Sequence, residues 1–542
     1  PGTGKTFVER TMLNVIRQFW WRQSSSLPMA PTGCAASLFK GETNVRCLTL
    51  PCGTKAMLEP ASSTSANVLQ GQAQLIKLCK TFAEVIDESS MIPRQHCAHM
   101  EFNTAQARQF VMHPDDELLV QNPPPADGSP DPLEFARILA RVQLEMKIQA
   151  LCERGWGGMP FIAWGGDIFQ LPPVGGKVHF DPGPPASSKN VACAMGRQVM
   201  QDFLYPPEGS GERGVTIVMD QVIRQDDETF LDLITKMRRA GMDDAVVNLL
   251  ISRRMDQLPP KEAEEFRKKA LHVMPTWKRT AKITKQYLLD IGNPVARIDA
   301  IYSYGRTNHM KREKSLPERN ALSVGAIVML LKNFLVELGL KNGSLGTIVK
   351  IAYEQPEGPT LDPKVQPAYV IVEFRDCSIP AEDALCGNGK PKQVPIPAVT
   401  LRCEKQCCSE TTIPLRVAKA VSSYKSQGMT CGKGELFEKV VIGLPVPGGK
   451  STPGEEQMMI SRAKEITDFA ISDDEPVTKE QLYSIGKGKA TQMRLDFEQE
   501  LMALMAATAG PIEEELTRDG DGDFDKGFDL LVEKFNNFLG QA

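Results

Sequence analysis

Three consecutive residues near the start of the chain, Gly4, Lys5 and Thr6 in PGTGKTF, bring a turn-forming glycine, a cation and a hydroxyl together. That combination suits phosphate. Backbone N–H groups of Gly2, Thr3 and Gly4 can close around phosphate oxygens, and Lys5 can reach the β and γ phosphates of ATP. Thr6 can offer its hydroxyl to Mg²⁺ at a helix N-terminus. The run is the second half of G-x-x-x-x-G-K-[ST], whose first glycine would precede Pro1. The sequence is therefore expected to start inside a longer protein and, with half of the backbone nest missing, to bind ATP poorly. A chance glycine-rich turn would look the same in isolation.

Two further pieces carry complementary chemistry. AEVIDESSM ends an apolar run on Asp87 and Glu88. Asp87 can hold Mg²⁺ through water, and Glu88 can orient or deprotonate an attacking water. GGDIFQLPPV then places Asp167 at a strand end and Gln170 in the following turn, at the sheet edge where ligands of such folds bind. There Gln170 can read a γ-phosphate or merely satisfy buried backbone. Taken singly each piece has a structural explanation; the order of phosphate loop, acidic strand and glutamine strand argues for one site.

Elements of an α/β fold must position these residues. FAEVID (82–87) and MPFIAWGGD (159–167) read as buried strands, separated by a helical pattern over 132–155. Such alternation predicts a parallel sheet. Loop-like stretches begin at Pro114, Tyr205, Glu354 and Pro445. After Ser323 the texture changes to closely spaced β-rich runs, with Asn342-Gly343-Ser344 and Gly346 as turn chemistry. A small β domain inserted at 321–399 is expected, with three or so domains over the 542 residues.

Bulk properties add limits. No apolar run reaches the roughly 18 residues that a spanning helix needs, and no membrane partner is expected. The 13 cysteines are scattered and odd in number, which suits a reducing compartment. Cys386, Cys403, Cys407 and Cys408 lack the paired C-x-x-C spacing of a zinc site. Net charge is −4, but residues 511–542 hold nine acidic against three basic side chains, leaving the rest slightly positive. Leu271 to Asn320 has ten Lys/Arg against four Asp/Glu, a possible basic surface. RDGDGDFDKGF alternates aspartates like a calcium loop, yet Phe524 stands where glycine is needed and no closing glutamate follows. An acidic tail with a short amphipathic helix, FDLLVEKFNNFL, is the expected arrangement.

From Pro1 to about Ser472 the sequence resembles the Pif-one-like branch of superfamily-one DNA helicases. PGTGKT resembles motif one, APTGCAA (30–36) motif Ia, IDESSM motif two and GDIFQLPPV motif three. VIRQDDETFLDLITKMRRAG from Val222 is similar to motif four, SSYKSQGMT (422–430) to motif five, and MMISRAKEITDFAI (458–471) to motif six. VMLLKNFLVELGLKNGSLGTIV resembles the lead into the family's inserted barrel. The resemblance implies an α/β fold of two RecA-like P-loop domains with parallel sheets and ATP between them, plus a small inserted β-barrel domain. The expected boundaries are 1–215 for the first RecA-like domain, 216–320 with 400–475 for the second, and 476–542 for the tail. It implies phosphate roles for Lys5 and Thr6, metal and water roles for Asp87 and Glu88, γ-phosphate sensing by Gln170, and Arg224 and Arg462 reaching across from the second domain. Strand contact falls to Thr32 and to Ser423, Tyr424, Lys425 and Gln427.

Departures from the pattern are Tyr424 where the family has histidine, Trp277 where asparagine is common, TNVRC (43–47) in place of a T-x-H-S-like turn, and DESS for DEIS. Tyr424 can stack on a base or pack, and Trp277 is expected to pack. The implied activity is ATP- and Mg²⁺-dependent 5′ to 3′ DNA unwinding in repair, recombination or telomere maintenance. The implied partners are single-stranded DNA and duplex junctions, the protein a monomer in nucleus or mitochondrion. Two other readings stand beside it: a nucleotide-dependent DNA-binding protein or mobile-element relic that does not unwind, and a helicase with RecD-like affinity.

Overall fold

In the computed structural model the described residues are 2–20, 25–32, 35–36, 41–48, 50, 78, 81–110, 155–173, 177–178, 180–181, 191–208, 210, 214–225, 227–303, 316–335, 338–354, 365–375, 377–386, 389–402, 408–444 and 452–508. The loop from Pro114, residues 132–154 of the expected helix, Cys403, Cys407 and the acidic end with its expected helix fall outside them. The chain divides into two compact units. Unit one comprises 1–32, 41–224 and 488–542; unit two comprises 33–40 and 225–487.

Unit one is built on a parallel sheet of β1 (Ser26–Ala30), β2 (Glu42–Thr43), β3 (Ala83–Ile86) and β4 (Phe161–Trp164), in the order β2-β1-β3-β4. Every residue of β1 and β3 is buried, as a strand covered on both faces requires. β4 differs from the buried strand expected: Phe161 is exposed and the next three residues half-buried. Its end position in the described sheet accounts for this, because a strand there has one neighbour. Leu27, Met29, Ile86, Ile92, Met100 and Trp156 form the centre of the core. The helices Arg94–Phe110 and Val191–Leu204 cross so closely at Gly196 that a Cβ there would lie 1.7 Å from the Arg94 carbonyl oxygen.

The helix Lys489–Thr508 also belongs to unit one, although the sequence reading assigned this stretch to the tail. Phe497 stacks on Phe180 at 5.2 Å between centroids, the Tyr205 hydroxyl donates to Glu500 at 2.6 Å, and the Thr216 N–H donates to Thr508 Oγ1 at 3.0 Å.

Unit two carries, in chain order, β5 (Leu271–Met274), β6 (Val295–Asp299), β7 (Ile301–Tyr302), β8 (Arg319–Ser323), β9 (Ile327–Leu330), β10 (Leu345–Ala352), β11 (Tyr369–Phe374), β12 (Gln393–Pro397), β13 (Val399–Arg402), β14 (Ser409–Thr412), β15 (Leu415–Val417), β16 (Ala420–Ser422), β17 (Val440–Ile442) and β18 (Phe469–Ile471). A parallel sheet runs β16-β5-β17-β18, with Ser422 opposite Met274. A separate antiparallel sheet runs β12-β11-β10-β9-β15 around a core of Val328, Ile348, Val370, Val372, Ile396 and Leu415. Four of its strands come from the range 321–399, whereas β15 lies beyond that range and pairs with β9. Gly343, at φ +102, makes the expected turn before β10. Gly346 instead sits inside β10, where a Cβ would meet Val372 and the Glu373 carbonyl within 2.7 Å; it is a strand glycine kept for close approach.

Candidate nucleotide site and nucleic-acid interface

In unit one the Gly2–Gly4 loop leads directly into the helix Lys5–Trp20. Gly2 and Gly4 have φ of +79° and +83°, a backbone form that glycine adopts without strain. The Gly4 carbonyl accepts from the N–H groups of Phe7 and Val8, closing the first helical turn. Thr3 is buried, and Gly2, Lys5 and Thr6 are half-buried. The loop is tied on its other side as well, since the Gly2 carbonyl accepts from Ile223 at 2.8 Å and from Arg224 at 3.0 Å. Arg224 is thereby placed in unit one, beside the loop, with the unit boundary immediately after it.

The acidic pair reaches the same place from the end of β3. The Thr6 hydroxyl donates to Asp87 Oδ2 at 2.9 Å, joining residues far apart in sequence. Asp87 is 2% exposed, its N–H donates to the Met29 carbonyl, and its Oδ1 accepts from the Glu88 N–H at 2.7 Å. Glu88 is half-buried and adopts a left-handed φ of +54°, which a residue with a Cβ rarely does outside functional turns. The following Ser89 N–H donates to the Gly165 carbonyl, linking motif two to motif three.

Glu9 completes this cluster. It lies one helical turn beyond Lys5, on the same face. Its carboxylate packs on Gly165, where a Cβ would stand 1.7 Å from Oε1. Burial first, and then the neighbouring Asp87 carboxylate, push the Glu9 carboxyl up to about 9, while Lys5 pulls the other way. The sequence reading missed Glu9; its four-residue spacing from Lys5 was the available signal.

Gln170 is buried, and its N–H donates to the Asp167 carbonyl at 3.0 Å while Asp167 Oδ1 accepts from Phe169. A second residue missed in the sequence, Arg494, donates Nη1 to the Phe169 carbonyl at 3.3 Å and Nη2 to the Gln170 carbonyl at 3.0 Å. Thr32, half-buried, follows the end of β1 in the same unit.

In unit two, Ser423, Tyr424 and Lys425 lie in a single turn, Ser423–Ser426, at the carboxyl end of β16, and Gln427 follows it in extended backbone. Ser423 and Gln427 are buried, Tyr424 is half-buried and Lys425 is exposed. Burial raises the Tyr424 hydroxyl, and a hydrogen bond with Thr452 opposes the shift. Arg462 is 1% exposed: Nε donates to the Met458 carbonyl, Nη1 to the Met429 carbonyl and Nη2 to Ser461 Oγ. Buried Gln225, absent from the sequence reading, donates to the carbonyls of Ser461 and Ala463 and so braces the arginine's turn.

The residues present fit ATP and Mg²⁺. A glycine-shaped loop opens onto a 16-residue helix N-terminus, and a hydroxyl and a buried carboxylate converge where a divalent cation would be shared. Gly2, Thr3, Gly4 and Lys5 would hold the phosphates, and Thr6 and Asp87 the metal.

Residues 312–351 match the family described as DNA helicase Pif1, 2B domain. Human ATP-dependent DNA helicase PIF1 is 25% identical over 264 residues, 48% of this chain and 36% of the human protein, so the match spans little more than a third of that relative's length. Among solved structures, Pif1 helicase from Candida albicans superposes with a TM-score of 0.62 at 17% identity, covering 93% of this chain and 94% of that one. A Bacteroides Pif1 helicase in complex with ADP-AlF3 and ssDNA gives 0.57 at 18% identity, covering 93% and 92%. The fold is accordingly the α/β, RecA-like fold of these helicases, with parallel sheets in both units and an antiparallel β part in unit two.

Proposed function

We propose, for a chain that resembles the Pif1 helicases in its 2B segment, its sequence and its fold, that it is an ATP-dependent DNA helicase translocating 5′ to 3′ on single-stranded DNA. The observation that carries this reading is the 2.9 Å bond from Thr6 to Asp87, which brings the hydroxyl of the phosphate loop onto the acid of the β3 edge. That pairing is what phosphoryl transfer asks of a protein: positioning and charge, with little covalent chemistry of its own.

The nucleotide and its Mg²⁺, when bound, supply the phosphoryl group and neutralise its charge. Lys5 and the loop N–H groups bind the phosphates. Glu88, held by its left-handed backbone beside Asp87, orients the attacking water and takes its proton. Gln170 reads the γ-phosphate, and Arg224 and Arg462 supply positive charge as the transition state spreads negative charge over the oxygens. Thr32, Ser423, Tyr424, Lys425 and Gln427 contact the strand. The cellular setting on this reading is DNA repair, recombination or telomere maintenance, in the nucleus or mitochondrion, with single strands and duplex junctions as partners and the protein working as a monomer.

The test is ATPase rate with and without single-stranded DNA, for wild type, Lys5→Ala and Glu88→Gln, followed by displacement from duplexes carrying a 5′ or a 3′ tail. DNA-stimulated turnover lost in both variants, with ATP binding retained in Glu88→Gln, supports the motor. ATP bound without any stimulation by DNA moves the reading to a nucleotide-dependent binding protein.

A further inference from the structure

Trp277 does not pack as the sequence predicts. It is 59% exposed at the first position of the helix Trp277–Ile291, capped by Thr276, whose hydroxyl accepts from the Arg279 N–H. Its place follows from the sheet. β5 and β16 are parallel neighbours with Met274 opposite Ser422, so Trp277 and Lys425, each three residues further on, emerge together at the carboxyl edge. Arg416, from the adjoining β15, lies over the indole with its guanidinium carbon 5.0 Å from the ring centroid. Trp277, Leu331, Arg416, Ser422 and Lys425 line one shallow cleft, all within unit two.

The turn that carries Trp277 is anchored by the next buried side chain of its helix. Arg279, two residues on, is buried and forms a two-point ion pair with Asp474 beyond β18, with Nε to Oδ2 at 2.9 Å. A β-strand supplies the arginine on the ring. With Arg416 over one side of the ring, the indole still leaves more than half of its surface in water, without the gain of burial.

Exposed lysines flank it, Lys278 in the same helical turn and Lys425 across the cleft. A flat aromatic beside several cations is the chemistry that takes a base on the ring and its phosphates on the charges; base–aromatic stacking tolerates any sequence because every base has a π-face.

We propose that Trp277, backed by Arg416, is a base-stacking subsite for single-stranded DNA at the carboxyl edge of the unit-two sheet. This rests on the DNA-translocase reading above and adds to it a residue that sets how the strand is gripped. The stack holds one base while Lys278 and Lys425 meet adjacent phosphates.

The experiment is fluorescence anisotropy of a labelled oligothymidine with wild type, Trp277→Phe, Trp277→Ala and Arg416→Met, repeated with an oligonucleotide of abasic sites. Expected is a Kd about five- to hundred-fold weaker for Trp277→Ala, from the usual worth of one base stack. Trp277→Phe should bind close to wild type and Arg416→Met should fall between. On the abasic strand, wild type and Trp277→Ala should bind alike, an outcome that a merely structural role for the indole would not produce. Equal binding of the thymidine strand by wild type and Trp277→Ala overturns the subsite and leaves the helicase reading standing. Wild type that binds no single strand overturns both.

Discussion

Arg494 donates to the main-chain carbonyl of Gln170 at 3.0 Å and to that of Phe169 at 3.3 Å. A cation on the helix Lys489–Thr508 thereby fixes the backbone of the residue assigned to γ-phosphate sensing. Arg494 is 4% exposed, and its removal takes one buried hydrogen bond from each of the two carbonyls, at about 1 kcal/mol each. Arg494→Met should lower DNA-stimulated kcat by roughly tenfold, the 1.4 kcal/mol scale of a misplaced polar group, with a smaller change in KM for ATP. Arg494→Lys, keeping one donor direction, should recover part of the rate. Steady-state ATPase kinetics and a thermal melt on each variant check this; a lower melting temperature with unchanged kcat would make Arg494 structural only.

The Thr6–Asp87 bond leads to a different expectation. On the proposed reading Thr6→Val and Asp87→Asn each remove one side of the same metal position, so the two losses should not add. Nucleotide affinity in the presence of Mg²⁺ should fall in each single variant, and fall little further in the double. Without Mg²⁺ wild type, the two single variants and the double should bind nucleotide within a few-fold of one another. Titration calorimetry with and without the ion measures both arms, and fully additive losses would separate the two residues' roles.

How much of this site the sequence discloses depends on how far apart its partners lie. Gly4-Lys5-Thr6 is contiguous and legible because a phosphate loop is made by neighbouring residues. Asp87 and Gln170 are legible as strand-end residues, and their placement at one edge follows once a parallel sheet is assumed. Arg494 and Gln170 meet across more than 300 positions, and nothing in local periodicity records such a pairing. The same holds for β15 joining β9: the change of texture after Ser323 showed a β domain, but not that Leu415–Val417, beyond its expected end, add a strand to the sheet. Trp277 was visible as a departure, yet its exposure depends on the Met274–Ser422 register, which pattern alone does not fix. Glu9 was overlooked because an acidic residue in a polar helix looks like an ordinary solvated one.

Gly196 sets the distance between two helices of unit one, so a larger residue there must push backbone against backbone. A Cβ would sit 1.7 Å from the Arg94 carbonyl oxygen and 2.5 Å from its carbon. No side-chain rotation relieves that overlap. Gly196→Ala should cost about 1–3 kcal/mol, the usual penalty for overpacking, in spite of alanine's better helix propensity. Thermal or urea unfolding of the variant measures it; unchanged stability would mean that the two helices can separate freely.

His272 and Lys419 make the stability of unit two depend on pH in opposite windows. His272 lies on β5, and burial with the nearby Lys419 charge pushes its imidazole down to about 3. Between pH 6.5 and 3 the unfolded chain then binds a proton that the folded one refuses, so stability falls as the solution is acidified through that range. Lys419, buried, donates to the Lys268 carbonyl at 2.7 Å, and burial lowers its ammonium to about 8. Between pH 8 and 10.5 the unfolded lysine keeps a proton that the folded one has released, so this group makes stability rise with pH there, by up to about 3 kcal/mol. Lys419→Met should abolish that rise and be the more stable protein at pH 7, partly offset by the lost bond to Lys268. It should also flatten the acid slope, because His272 loses a repelling neighbour, and His272→Leu should flatten it further. Urea unfolding of the three proteins from pH 4 to pH 10 checks both windows, and parallel curves for wild type and Lys419→Met above pH 8 would rule out Lys419 as the source of the alkaline rise.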